Sequence, residues 1–248
     1  FNYFHKTSHI MNYSKKRLLF VVAYATNLHY NNFKWSDIME HLTIFKNISS
    51  MDIECMLKCF GARKLVYKKD RTIISNIINT KMIGIILSGN ANMVRYDYNG
   101  NRTIVEKLEE DSVFGEVFSY LGNDISVIAT TDCEVLFIDY DHIINRCKKN
   151  CVHHALLTDN VLQLLSKKII DLNGRLEVLS KRSIRDKLLS YFDLLVKRKG
   201  SRNFTLPFNY TELADYLSVD RSAMMREIKN LKDEGFITTN GRKISLNY

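Results

Sequence analysis

The chain has 248 residues, 46% hydrophobic and 25% charged, a balance that excludes an intrinsically disordered protein and allows two small domains. No apolar run reaches about 18 residues, which excludes a transmembrane helix, and five scattered cysteines exclude a secreted disulfide scaffold and favour the cytoplasm. The net charge of +9 is uneven: residues 181–248 carry 14 basic and 8 acidic residues, but residues 35–152 carry 14 basic and 16 acidic ones, so only the C-terminal module is predicted to bind a polyanion.

Residues 1–34 form an N-terminal extension with five basic and no acidic residues. Lys15–Arg17 and the apolar run that follows resemble a short secretion signal. The segments further along the chain predict an intracellular protein, however. We therefore base no functional prediction on residues 1–34.

Residues 35–151 are predicted to form a sensor domain. Residues 35–60 have apolar residues at helical spacing and predict helix. Asn99 and Gly100 lie between two segments in which apolar and polar residues alternate. Because both residues accept a positive φ, this pair predicts a hairpin with a type I′ turn. Several short strands in this region predict an antiparallel barrel or sandwich. The predicted strands are Ile83–Leu87, Met93–Tyr98, Thr103–Val105, Val127–Ala129 and Val135–Ile138.

Residues 152–181 are predicted to form a long dimerisation helix. Apolar residues recur in steps of three and four, which is the a/d pattern of a two-helix coiled coil. This seam consists of Leu162, Leu165, Ile169, Leu172, Leu176 and Leu179, and it is flanked by Lys167, Lys168, Asp171 and Arg175. Gly174 is expected to weaken the helix locally. The alternative is a helix packed on its own domain, but a helix that links two modules favours a seam between two subunits.

Residues 182–248 predict helix, loop, helix, tight turn, helix and hairpin. Asn209 and Glu212 have the spacing of a capping box at the start of one helix. A short turn at residues 218–219 follows, and Asp220 can cap a second helix, Arg221 to Asp233. The turn is too short for two helices that merely pack antiparallel, and it fits a helix-turn-helix whose second helix enters the major groove.

The outward face of that second helix and the following hairpin are predicted to contact DNA. The planar fork of arginine can bond O6 and N7 of guanine together, or a phosphate. The strands Phe236–Thr239 and Arg242–Leu246 flank Asn240-Gly241, so a basic hairpin, or wing, follows the recognition helix. A helical hairpin used for protein contacts is the alternative. The predicted DNA-binding residues are Arg221, Ser222, Arg226, Lys229, Arg242 and Lys243.

Five stretches of the chain carry a resemblance to a known family: Leu87–Gly89, Tyr98–Arg102, Phe114–Glu116, Lys181–Leu188 and, most specifically, Glu212–Ala223. On these stretches, from about residue 38 to its end, the chain resembles the bacterial Crp/Fnr family of transcription regulators. The resemblance implies an α+β fold: an N-terminal cyclic-nucleotide-binding-type antiparallel β-roll (jelly-roll-like), a long dimerisation helix and a C-terminal winged helix-turn-helix. It also implies a homodimer on palindromic promoter DNA, RNA polymerase as a further partner, and base reading by Arg221, Ser222 and Arg226.

The resemblance places an effector site in the β-roll, at Gly115, Glu116 and Ser126. Gly115 and Glu116 match the start of the phosphate cassette of members that bind cAMP. The segment that follows has no arginine to neutralise a cyclic phosphate, and Asp124 would repel one. Because an unpaired buried phosphate is costly, we expect a different small-molecule effector, or none with the Gly-Glu pair retained for the fold. A cyclic-nucleotide-responsive regulator stays an alternative, and no cofactor is identified.

Other functional classes have weaker support. A redox- or metal-responsive regulator using Cys147 and Cys151 is one alternative, although their spacing is not that of a zinc knuckle, and we predict no metal site. Cys55 and Cys59 are predicted to fill a core. Gly-rich nucleotide loops, nucleophile elbows and zinc-protease motifs are absent, so we predict neither an enzyme nor a membrane protein. A further alternative is a non-transcriptional sensor, in which the β-barrel serves a kinase or a channel. Proteins of that class lack the helix-turn-helix, which counts against this alternative.

Overall fold

The computed structural model describes residues 39, 41–75, 82–115, 125–144 and 152–248. An antiparallel β-roll is followed by one long helix and by a winged helix-turn-helix module, so the predicted α+β architecture is confirmed. No helix in these ranges is long and apolar enough to cross a membrane.

The segment before the roll differs from the prediction of helix over residues 35–60. Thr43–Phe45 form a 3-10 turn, Asn47 has a φ of 63°, and the α-helix α1 spans only Ser50–Cys59. Ser49 caps α1, because its Oγ accepts a hydrogen bond from the backbone N–H of Asp52. The positive φ of Asn47 and the cap at Ser49 therefore interrupt the segment that the apolar spacing predicted to be helical.

The cysteines of α1 do not fill a core. Ile53, Met56 and Leu57 are the buried residues of this helix, and they pack against the roll. Cys55 and Cys59 lie four residues apart on its exposed side, so the prediction of core packing was wrong.

The β-roll consists of two antiparallel sheets. One has the strand order β1-β8-β3-β6 and the other β2-β7-β4-β5. Apolar side chains from both sheets form a common core that includes Ile86, Met93, Phe114 and Val127. The strands are β1 Arg63–Tyr67, β2 Thr72–Ser75, β3 Met82–Ser88, β4 Ala91–Tyr96, β5 Arg102–Leu108, β6 Val113–Gly115, β7 Ile125–Ala129 and β8 Cys133–Asp139.

The β4–β5 hairpin is present, but its turn is not type I′. Tyr96 pairs with Arg102, which leaves residues 97–101 as the loop. The Asp97 carboxylate accepts hydrogen bonds from the backbone N–H groups of Asn99 and Asn101, both at 2.8 Å. This side chain therefore stabilises a wider loop than the Asn-Gly pair alone predicts.

Helices follow the last strand of the roll. The first, α2, is short and spans Tyr140–Ile144. The long helix α3 spans Val152–Leu179, close to the predicted bounds, and α4 spans Ile184–Lys199. The Cβ that an alanine would add at Gly174 would lie 3.1 Å from Cδ1 of Leu194. Gly174 thus permits the close approach of α3 and α4, a role that its low helix propensity did not predict.

The winged module contains α4, the helices α5 (Tyr210–Leu217) and α6 (Arg221–Asp233), and a small antiparallel sheet. The sheet has the order β10-β11-β9. Its hairpin strands are β10 Ile237–Asn240 and β11 Lys243–Leu246, and β9 spans Asn203–Thr205, where the sequence predicted only a loop.

Candidate nucleic-acid interface

The first helix of the helix-turn-helix begins with the predicted capping box. The Asn209 Oδ1 accepts from the backbone N–H of Glu212 at 2.9 Å, and the Glu212 carboxylate accepts from the backbone N–H of Asn209 at 3.0 Å. At the other end of α5, Ser218 has a left-handed φ of 53°. That conformation turns the chain sharply into the next helix, which confirms the short turn.

The second helix, α6, spans the predicted residues. The Asp220 carboxylate caps it by accepting from the backbone N–H of Ala223 at 2.8 Å. Met224, Ile228 and Leu231 are buried against α4 and α5. Burial of this face fixes which face of α6 points to solvent.

The predicted base-contacting residues lie on the solvent side of α6. Arg221, Ser222, Arg226 and Lys229 are all exposed. Across the described ranges, no hydrogen bond or salt bridge occupies any of these four side chains. Three cations on one exposed helix face are therefore free to contact phosphates or base edges.

The wing carries two further exposed cations beside this helix. Asn240 pairs with Lys243, so Gly241 and Arg242 form the turn, and Arg242 lies in the loop and not in the predicted strand. The Tyr210 hydroxyl donates a 2.7 Å hydrogen bond to the Gly241 carbonyl, which joins the tip of the wing to the first turn of α5. Arg242 and Lys243 both face solvent.

A polar clamp that sequence reasoning missed fixes α4 against the end of α6. Nη1 of Arg185 donates to Glu234 at 2.9 Å and to Glu227 at 3.2 Å, and Nη2 also contacts Glu234. These hydrogen bonds hold the pKa of Glu234 below its ordinary value and raise the pKa of Arg185. The guanidinium also lies 5.1 Å from the ring centroid of Phe236 at the base of the wing.

The winged module packs directly on the sheet that contains β4 and β5. Asn92 Nδ2 donates to Glu212 at 2.9 Å, and Arg102 donates to Asp215 from Nε and Nη2. Val94 and Ile104 of the roll belong to the same hydrophobic cluster as the core of the winged module. The sequence did not reveal this contact, because its residues lie more than 100 positions apart.

Arg175 contributes to the same contact and does not flank the dimer seam in solvent as predicted. It is 9% exposed. Its guanidinium donates to the carbonyl oxygens of Ile104, Val105 and Tyr216. Burial lowers the pKa of Arg175. The helical wheel could not show this burial, since β5 and α5 enclose the side chain.

The predicted effector residues are only partly described. Gly115 ends β6 with a φ of 123°, and an added Cβ would lie 2.3 Å from the Met82 carbonyl oxygen, so the backbone itself requires glycine here. Ser126 lies half-buried in β7, in the other sheet of the roll. Glu116 lies outside the described residues, and the effector site stays a prediction.

The predicted dimer seam is an apolar stripe on α3. Leu162, Ile169, Leu172 and Leu176 are between 51% and 66% exposed, and Leu165 and Leu179 are half-buried. Leu165 also packs on the chain's own core, together with Leu157 and Val161 of the same helix, and Val178 packs on the core of the winged module.

The described residues hold no candidate metal site. Within the described ranges no group of histidine, cysteine, aspartate and glutamate side chains could hold a metal ion. Cys147 and Cys151 fall outside these ranges, so their proposed redox role stays a prediction.

The sequence of the chain matches two protein-domain families. The cyclic nucleotide-binding domain family matches residues 64–150, and the Crp-like helix-turn-helix domain family matches residues 186–247. The chain belongs to the Crp/Fnr family. Members of this family are transcriptional regulators and not enzymes, which confirms the prediction of a non-enzymatic protein.

Known relatives agree with this membership. A probable transcriptional regulator, Flp of Lacticaseibacillus casei, is 26% identical over 121 residues, which cover 49% of this chain and 52% of that protein. The chain thus matches about half the length of that curated relative.

Solved structures of two further regulators share the fold of this Crp/Fnr chain. A CooA mutant from Carboxydothermus hydrogenoformans has a TM-score of 0.63 at 17% identity, with 90% of this chain and 94% of that chain covered. FixK2 from Bradyrhizobium japonicum has a TM-score of 0.58 at 16% identity, with 75% and 93% covered.

Proposed function

We propose that this Crp/Fnr-family chain is a sequence-specific DNA-binding transcription regulator that acts as a homodimer on palindromic promoter DNA in the cytoplasm. The observation that carries the proposal is the exposed face of α6. Arg221, Arg226 and Lys229 are solvent-exposed there, and no described side chain neutralises them. A helix of this kind, positioned by a short turn and followed by a basic wing, has the geometry for base contacts in the major groove and phosphate contacts beside it.

The exposed stripe on α3 supports the dimer. Large apolar side chains repeated along one side of a helix are costly to leave in water, and a second copy of the same helix would bury them. A two-fold pair of recognition helices then predicts two half-sites about one helical turn apart on the DNA. RNA polymerase is the partner that a promoter-bound regulator of this kind would contact.

The contact between the roll and the winged module supports regulation by population shift. An effector in the β-roll, other than cAMP, would favour one relation of the modules and thereby one spacing of the two recognition helices. Asn92 and Arg102 lie on β4 and β5, so a change in these strands reaches α5 directly through Glu212 and Asp215.

The test is selection of bound duplexes from a random DNA pool with the purified full-length protein, at a fixed salt concentration because phosphate contacts make affinity salt-dependent. We expect recovery of a two-fold symmetric site. A variant with Arg221 and Arg226 both replaced by Ala should enrich no site while it keeps its circular dichroism spectrum.

Two results would count against the proposal. Enrichment of the same site by the double variant would exclude α6 as the reader. If no sequence is enriched by the wild-type protein, the selection is repeated with a small-molecule extract of cells. Continued failure there would indicate that the winged module serves a partner other than DNA.

A further inference from the structure

A cavity of about 190 Å³ lies between the sensor and winged modules. Its wall is formed by β5, α3, α4 and α5 with the loop before it, and the aromatic residues Tyr191, Phe208 and Tyr216 line it. A cavity of about 150 Å³ is known to hold benzene. The space therefore suits a small organic molecule with a flat apolar body.

The charges around this cavity do not balance. Arg175 has no carboxylate within salt-bridge distance among the described residues. The other three lining cations each have a carboxylate partner: Lys107 with Glu109 at 2.5 Å, Lys168 with Glu106 at 2.5 Å, and Arg198 with Asp171 at 2.7 Å. One positive charge in the lining, that of Arg175, is thus left without an ion-pair partner.

Arg175 is held in place by neutral groups. Nη2 donates to the Ile104 carbonyl at 2.6 Å and to the Tyr216 carbonyl at 3.4 Å, and Nη1 contacts the Val105 carbonyl. The guanidinium carbon lies 4.6 Å from the ring centroid of Tyr216. Nε is buried and has no hydrogen-bond partner in the described part of the chain. A buried charge with an unused donor is costly, and an anionic acceptor nearby would lower that cost.

We propose that this interdomain cavity is a binding site for a small organic monoanion, such as an aromatic carboxylate, whose charge is neutralised by Arg175. The rings of Tyr191, Phe208 and Tyr216 would contact its flat body. This site differs from the one predicted in the β-roll, because neither Gly115 nor Ser126 lines the cavity.

Such a ligand would act on the contact between the modules. Val105 belongs to the sensor, Arg175 to the long helix and Tyr216 to the helix-turn-helix, so one molecule would contact all three. Binding would stabilise the docked arrangement and so change the affinity for DNA. Only the change in DNA affinity rests on the proposed function. Binding of the ligand itself can be measured without DNA.

The probe is 4-fluorobenzoate, observed by fluorine NMR during titration with the full-length protein, and the neutral control is 4-fluorobenzamide. We expect saturable binding of the carboxylate and at least tenfold weaker binding of the amide. Arg175→Met should weaken carboxylate binding at least tenfold, whereas Arg175→Lys, which keeps the charge, should retain most of it. Val105→Phe leaves Arg175 intact but adds volume at the wall, and it should weaken binding of both probes.

Folding of each variant is checked by thermal unfolding, and Val105→Phe decides the question if Arg175→Met does not fold. The proposal is wrong if the wild-type protein shows no saturable binding, if the amide binds as well as the carboxylate, or if Val105→Phe binds like the wild type. Because these readouts do not involve DNA, a failed DNA selection would leave them unaffected.

Discussion

The guanidinium of Arg102 lies against one carboxylate oxygen of Asp215, with Nε at 2.9 Å and Nη2 at 2.6 Å. This pair joins β5 of the β-roll to α5 of the helix-turn-helix. Asn92 and Glu212 form a second connection three residues earlier on α5. Both contacts are polar and only partly buried, so a modest change in either module can break them.

The Arg102–Asp215 pair is expected to stabilise the docked modules by about 1 kcal/mol, because it is charge-assisted but partly exposed. A double-mutant cycle with Arg102→Gln and Asp215→Asn, measured by urea unfolding, gives this coupling free energy. The control cycle uses Lys68 and Asp132, a pair within the roll whose side chains are 76% and 57% exposed and whose coupling should be near zero. Equal couplings in the two cycles would contradict a role in docking.

Arg226→Ala is expected to cost on the order of 1–3 kcal/mol of DNA affinity and to relax the preference for the selected site, because a base contact is lost. Fluorescence anisotropy with the selected and a scrambled duplex measures both effects. Lys243→Ala is the matched control on the wing: it should weaken both duplexes alike and reduce the salt slope by about one. If Arg226→Ala weakened both duplexes equally, its base-reading role would be rejected.

Ile169→Lys is expected to convert the proposed dimer into monomers, since it places a charge in the middle of an exposed apolar seam. Light scattering of the purified variant gives the molar mass. Gln163→Lys adds the same charge at an exposed position outside the seam, and this protein should remain dimeric. A dimeric Ile169→Lys protein would exclude the stripe as the subunit contact.

The Arg185–Glu234 clamp predicts a pH-dependent loss of stability. Because the pKa of Glu234 is lowered in the folded protein by its hydrogen bond from Arg185, the clamp contributes stability above the unfolded pKa of about 4.3 and loses it as the pH falls through the folded pKa. Arg185→Gln should therefore lower the unfolding temperature at neutral pH, and the difference from the wild type should shrink in acid.

The exposed Arg182 provides the control for this experiment, because it has no salt bridge in the described part of the chain. Arg182→Gln should leave the unfolding temperature nearly unchanged at every pH. A deficit of Arg185→Gln that stayed constant down to acid pH would show that the clamp acts through packing on Phe236 and not through the Glu234 charge.

The local chemistry of the sequence determined the helix-turn-helix. The Asn209–Glu212 capping box and the Asp220 cap act over three residues, and the burial of Met224 and Ile228 follows from helical spacing alone. The same local rules failed at Asn99-Gly100, where the neighbouring Asp97 side chain selects a wider loop. Short-range hydrogen bonds can therefore be predicted where a segment has one favourable pattern, but not where a neighbouring side chain offers a second one.

The tertiary structure alone decided how the modules meet. The carbonyl acceptors of Arg175 on β5 lie about 70 positions earlier in the chain, and Arg102 and Asp215 are 113 positions apart. Neither periodicity nor composition encodes such pairs, because they form only when α5 packs on the roll. The sequence by itself therefore determined what each module is, whereas the packing of the modules determined which charges are free to bind and which are buried between them.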